Sequence, residues 1–181
     1  MEELNHTLKL DYILAHEPFD EIGWQYFPIP EFDLKPPIFD YAIALTLDEL
    51  HDYSRAHFPD SENMIMSFVV NIRRVLCRLN DMFSLHPLLG ISDSVALTRK
   101  SKDMLISIRL CTNYRRPRAL PNCRPSVKRL MTIADGLEAE FGKPMKWYLS
   151  GDNDTDLQHD YSVPMWKLDE VEAKREKEKN S

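Results

Sequence analysis

Glycine, cysteine and long apolar runs are all scarce in this chain, and each scarcity closes off a class of protein. Five glycines in 181 residues are too few for a glycine-rich phosphate loop or for an all-β barrel built on tight turns. The three cysteines, Cys77, Cys111 and Cys123, cannot form a disulfide framework, and no two have zinc-finger spacing. Cys77 falls in an apolar helical repeat and Cys111 at the end of an alternating run, so both read as inert core or near-core thiols. No apolar stretch approaches the ~20 residues that span a bilayer. The opening MEELNHTLKLDYILAHEP lacks a basic n-region and an apolar h-region, so the sequence predicts no signal peptide. An intracellular setting, cytoplasmic or nuclear, is the expectation, with no membrane contact.

The six histidines include no pair at i,i+4 and no H-E-x-x-H, which argues against a metal site. Asp152, Asp154 and Asp156 open like a calcium loop. Leu157 stands where its glycine belongs and Val163 where its terminal glutamate does, so a solvated acidic turn is expected. Neither metal nor cofactor is predicted.

What is present in quantity is charge, sorted by sign. Residues 1–50 carry net −9, residues 51–150 net +7 and residues 151–181 net −4. Ten Lys/Arg crowd into 94–129 against the single acid Asp103. A cationic middle of this kind draws either the chain's own acids or something anionic from outside. An apolar fraction of 43% and a charged fraction of 29% still read as an ordinary globular chain, long enough to bury a core without staples.

The segment 1–44 is acidic, aromatic and rich in proline, with a short strand expected at 8–14 (LKLDYIL). Proline restricts both itself and its predecessor, so 18–37 is read as extended rather than helical. Its rings Trp24, Tyr26, Phe27, Phe32 and Phe39 are candidate partner contacts. At Thr46 the pattern changes: Thr46-Leu47-Asp48-Glu49 is a capping box, opening a helix to about Phe58. Asp60 or Ser61 then caps a second helix running toward Pro87. Its apolar stripe is Ile65, Phe68, Val69, Ile72, Val75, Leu76, Leu79, Met82 and Phe83. Period two over 94–99 and 103–112 predicts a hairpin, with Met104, Ile106, Ile108 and Leu110 on one face and Ser107 and Arg109 on the other. Ser126 caps a third helix with an apolar face of Val127, Leu130, Met131, Ala134, Leu137 and Phe141, closed by Gly142. Met145–Ser150 reads as a strand. A helix from about Val163 or Met165 ends the chain in almost wholly charged residues.

The predicted fold is therefore α+β: a small, mainly antiparallel β-β-α-β sheet packed on two N-terminal helices. An extended arm (1–44) wraps a core (45–151), and an acidic loop with a charged terminal helix (152–181) follows.

The best candidate site is the basic loop entering the Ser126 helix: Arg115, Arg116, Arg118, Arg124, Ser126, Lys128 and Arg129. Unpaired N–H groups and the helix dipole favour anions there, and cations in the first turn are unfavourable unless an anion offsets them. Cys123 and Arg129 have the C-x5-R spacing of cysteine phosphatases. Asn122 replaces the usual histidine, however, and Ser126 a loop glycine, which leaves a chance match in an arginine-rich stretch. Nucleic acid would use the same cations with Tyr114 for stacking, but net charge −6 argues against it. The function expected is a non-enzymatic interaction module, an adaptor or complex subunit, with a protein partner and room for a homo-oligomer. The alternative is binding of, or catalysis on, an anionic phosphate-bearing ligand at 115–129. If the arm is a partner element, removing 1–44 leaves a folded core.

Overall fold

The computed structural model describes residues 6–8, 13, 15–23, 26–28, 36–58, 68–84, 89–93, 105–114, 126–150, 161–163, 173 and 176–177. Along the chain these form β1 (His6–Leu8), β2 (Phe39–Thr46), α1 (Leu47–His57), α2 (Phe68–Met82), β3 (Gly90–Asp93), β4 (Leu105–Thr112), α3 (Val127–Phe141), β5 (Lys146–Leu149) and β6 (Tyr161–Val163). The fold is α+β, with an antiparallel sheet in the order β3-β4-β2-β5 and a separate β1-β6 pair.

The strand that organises this sheet comes from the segment expected to be an arm. In β2, Phe39, Ile43 and Leu45 alternate with Asp40, Ala42 and Ala44, the period that suits a strand between two neighbours. It pairs with β4 from Asp40↔Thr112 to Thr46↔Leu105, with an irregularity at Tyr41/Ala42, and with β5 from Phe39↔Leu149 to Ala42↔Lys146. A boundary at residue 44 would cut through it. β4 and β5, expected as parts of one β-β-α-β unit, do not pair, because β2 lies between them.

Other local expectations shift by degrees. The strand expected at 94–99 lies outside the described residues, and the edge of β4 not taken by β2 is paired by the earlier β3, with Gly90 opposite Arg109. The strand expected at 8–14 is displaced: pairing involves His6–Leu8, while Ile13, Ala15 and His16 have helical backbone. A Glu17 N–H to Ile13 carbonyl bond of 2.9 Å closes that turn, and burial of Ile13 among Tyr26, Phe39 and Leu149 outweighs the alternating pattern. At the other end, Tyr161–Val163 is strand, where a helix was expected to begin. Ala173, Glu176 and Lys177 are helical and exposed.

The capping box forms as its spacing requires. Thr46 Oγ1 accepts the Glu49 N–H at 3.2 Å, and the Glu49 carboxylate accepts the Thr46 N–H at 2.8 Å. The main core joins Ile43 and Leu45 of β2, Leu50 of α1, Val75 and Leu79 of α2, Ile106, Ile108 and Leu110 of β4, and Ile133, Ala134 and Leu137 of α3. All three helices thus cover one face of the sheet. The opposite face is not left to solvent: Asp40, Ala42 and Ser107 are also buried, as is Tyr148 with Ala42 and Ala44. α3 meets the sheet through Leu130, Ile133, Ala134, Leu137 and Phe141. Val127 and Met131, expected on that inward face, are 61% and 62% exposed. The helix ends at Gly142, whose φ of 63° is the left-handed conformation that favours glycine.

Candidate functional site

Opposite signs that are distant in sequence meet in the fold. The Asp40 carboxylate, buried, accepts from Arg109 Nη1 at 3.2 Å. Asp20 pairs with Lys146 at 3.1 Å and Glu49 with Lys143 at 2.5 Å. Three acids of the N-terminal segment therefore take up cations of the middle, which answers part of the charge asymmetry internally.

The predicted aromatic contacts divide. Phe39 is fully buried and Tyr26 nearly so; their rings stand edge to face at 5.1 Å, with Phe19 beside both. Asn113 holds this turn, donating to the carbonyls of Tyr26 and Pro37 and accepting the Phe39 N–H at 2.8 Å. Tyr26 and Phe39 are core residues of this chain, a correction that follows from the pairing of β2. Phe27 is half-buried with its ring 6.2 Å from that of Trp147. Trp24 and Phe32 lie outside the described residues.

Of the predicted anion site, Arg115, Arg116, Arg118, Arg124 and Cys123 also lie outside them. Ser126, Lys128 and Arg129 are exposed at the start of α3. The Ser126 hydroxyl accepts the Arg129 N–H at 3.2 Å, which satisfies one N–H of the helix start. Arg129 Nη2 donates to the Ser84 carbonyl at 3.2 Å, tying α3 to the turn after α2. No acid stands in the first turn of α3. Tyr114, the stacking candidate, donates its hydroxyl to the Pro36 carbonyl.

The feature that sequence reasoning missed is a groove along the outer face of α2. It encloses about 670 Å³ and is lined by Phe58, Val70, Arg73, Arg74, Cys77, Arg78, Asp81 and Met82. Phe58 walls one side: it closes α1, with its N–H bonded to the Ser54 carbonyl at 2.8 Å, and the Arg74 guanidinium sits 6.0 Å over its ring. Val70 and Met82 are 39% and 41% exposed, and Cys77 is exposed. Val70, Arg73/Arg74, Cys77 and Asp81 recur at helical steps, a second stripe opposite Ile72, Val75, Leu76 and Leu79. That spacing was readable. Met82 stood within the expected apolar stripe and is instead turned toward the groove.

Behind the groove, the Tyr53 hydroxyl donates to Glu140 at 2.7 Å and accepts from Arg78 Nε at 3.2 Å, while His57 Nε2 lies 3.6 Å from Glu140. Burial, and next the bond to Glu140, push the Tyr53 phenol up to about 12. A proton held this firmly suits a seam joining three helices; a general base would need the reverse. Burial likewise pushes the Cys111 thiol up to about 11, which makes it a poor nucleophile. Among the described residues no three His, Cys, Asp or Glu side chains converge as a metal would require, and no helix is long and apolar enough to cross a membrane.

The chain matches no protein-family model, no curated protein and no solved structure.

Proposed function

We propose that this protein is a non-enzymatic interaction module, an adaptor or a subunit of a larger assembly. Its contact surface is the outer face of α2 rather than the aromatic segment before β2. The α2 groove carries this reading: outward Val70, Cys77 and Met82 interleave with Arg73, Arg74 and Arg78. Apolar side chains mixed with arginine make a typical centre for a protein contact, because arginine binds through both its stem and its planar head. A photo-crosslinking amino acid placed at position 70 or 82, in cells that make the protein, should give one discrete adduct identified by mass spectrometry. The same group at exposed Asp48 on α1 should give none. Absence of adducts from 70 and 82 would overturn the reading.

A second reading, an anionic phosphate-bearing ligand at the start of α3, is favoured by a first turn that holds exposed Lys128 and Arg129 but no acid. Phosphate should then raise the melting temperature at low salt, and Arg124→Ala with Arg129→Ala should abolish the rise. A melting temperature unmoved by phosphate at low salt would dispose of it.

A further inference from the structure

Resting on that docking reading, we infer that the occupant of the α2 groove is an acidic amphipathic helix of a partner protein. Charge sets its sign. Arg73, Arg74 and Arg78 line the groove against one acid, Asp81. Arg78 is met from within by Tyr53 and Glu140. Arg73 and Arg74 are exposed, and among the described residues neither has a carboxylate partner. The Phe58 ring beside Arg74 brings no counter-charge.

Asp81 does not cancel these two cations. It follows them along α2 by about 10–12 Å, at roughly 1.5 Å per residue. That exceeds the ~8 Å over which physiological salt leaves exposed charges in sight of one another. The groove therefore has a cationic end and a weakly anionic one. Asp81 also lies in the last turn of α2, where the helix dipole disfavours an acid. The occupant thus sets carboxylates against Arg73 and Arg74, and a neutral or cationic side chain against Asp81.

The apolar positions select a helix. Val70 and Cys77 stand two turns apart on α2, the same rise that separates positions i and i+7 of a helix laid along it. Met82 extends the stripe. An extended segment gains no main-chain pairing here, because the backbone of α2 is bonded within the helix and offers no strand edge. A nucleic-acid strand is matched less well: its phosphates would meet Asp81, and Phe58, the ring for stacking, already faces Arg74. A second copy of this chain would bring the same excess of arginine.

Two experiments decide it. The first uses a pair of fluorescein-labelled helical peptides with one leucine spacing, flanked by glutamates in one and by lysines in the other. Fluorescence anisotropy with the full chain should show the glutamate peptide binding in a salt-sensitive way and the lysine peptide not binding. Arg73→Glu with Arg74→Glu should weaken the glutamate peptide at least about tenfold, since attraction becomes repulsion at two sites. Arg73→Lys with Arg74→Lys should keep most of the affinity, and Asp81→Lys should raise it. These side chains are exposed, so circular dichroism should show one fold for all variants. A glutamate peptide that does not bind, equal binding of both peptides, or indifference to the double reversal would overturn the inference.

The second experiment sequences the segment crosslinked from position 70 in cells. An acidic amphipathic helix, lost with Arg73→Glu and Arg74→Glu, supports the inference. A basic or neutral segment, a nuclease-sensitive adduct, or an adduct to this chain itself overturns it. Where that adduct is another discrete protein, the groove remains a docking surface and only its occupant was misassigned. If positions 70 and 82 crosslink to nothing, the docking reading falls as well.

Discussion

Tyr53 shows how one side chain can be functional in appearance and structural in effect. Its phenol, its two hydrogen-bond partners and the nearby His57 resemble a small acid–base cluster. Yet the fold raises the phenol from 10 to about 12, so the protonated form is the one the native state favours. The stability gained this way is complete below about pH 10 and is lost as pH rises toward 12. We expect Tyr53→Phe to cost about 1 kcal/mol near neutrality, by removing the bonds to Glu140 and Arg78, and to flatten the alkaline decline. Melting curves from pH 8 upward test both parts, and an unchanged alkaline decline would remove Tyr53 from the explanation. Gly136 makes a complementary point about packing. A Cβ there would lie 2.8 Å from Cζ of Phe83 and closer still to Cε1. Gly136→Ala should therefore destabilise by about 1–3 kcal/mol, although alanine favours helix by about 1 kcal/mol elsewhere. A rise in melting temperature would show that the Phe83 ring yields freely.

At the scale of elements, the α1 start is the most local feature in the molecule. Thr46→Ala deletes the acceptor for the Glu49 N–H and should cost about 1 kcal/mol, lowering the melting temperature by roughly 2–4 °C in a chain of this size. Glu49 also binds Lys143, so its carboxylate keeps a partner and the loss stays modest. β2 is the opposite case. It is hydrogen-bonded along both edges, and its inward residues enter the main core. A chain lacking residues 1–44 should therefore be unfolded by circular dichroism, because it loses most of this strand. A cooperative thermal transition in that shortened chain would show that β4 and β5 can close the sheet without it.

For the molecule as a whole, the sign-sorted charge is resolved in two ways. Asp40–Arg109, Asp20–Lys146 and Glu49–Lys143 unite acids of the first 50 residues with cations far along the chain. Of these, Asp40 is the one withdrawn from water, so Asp40→Ala should cost the most, about 3 kcal/mol, by leaving Arg109 half-shielded without its carboxylate. Asp20 is 84% exposed in its side chain, and Asp20→Ala should be nearly neutral. Equal losses in the two variants would mean that burial does not govern these pairs.

The helix bodies of α1, α2 and α3, three of their caps (Thr46, Ser126 and Gly142) and the apolar alternation of β4 were legible from residues alone. Each depends on contacts within a few positions: a threonine three residues from a glutamate, a glycine able to take positive φ, apolar side chains returning every turn. The candidate site was less so. The outward stripe of α2 has a readable period, but nothing local says which of two apolar stripes faces the sheet, and Met82 was placed on the wrong one. Tertiary structure alone decided that Phe39–Thr46 is a central strand, that Tyr26 and Phe39 point inward, and that Val127 and Met131 point out. The physical reason is distance along the chain: β2 finds its partners about 60 to 110 residues away, where burial and pairing override any local preference for an extended arm.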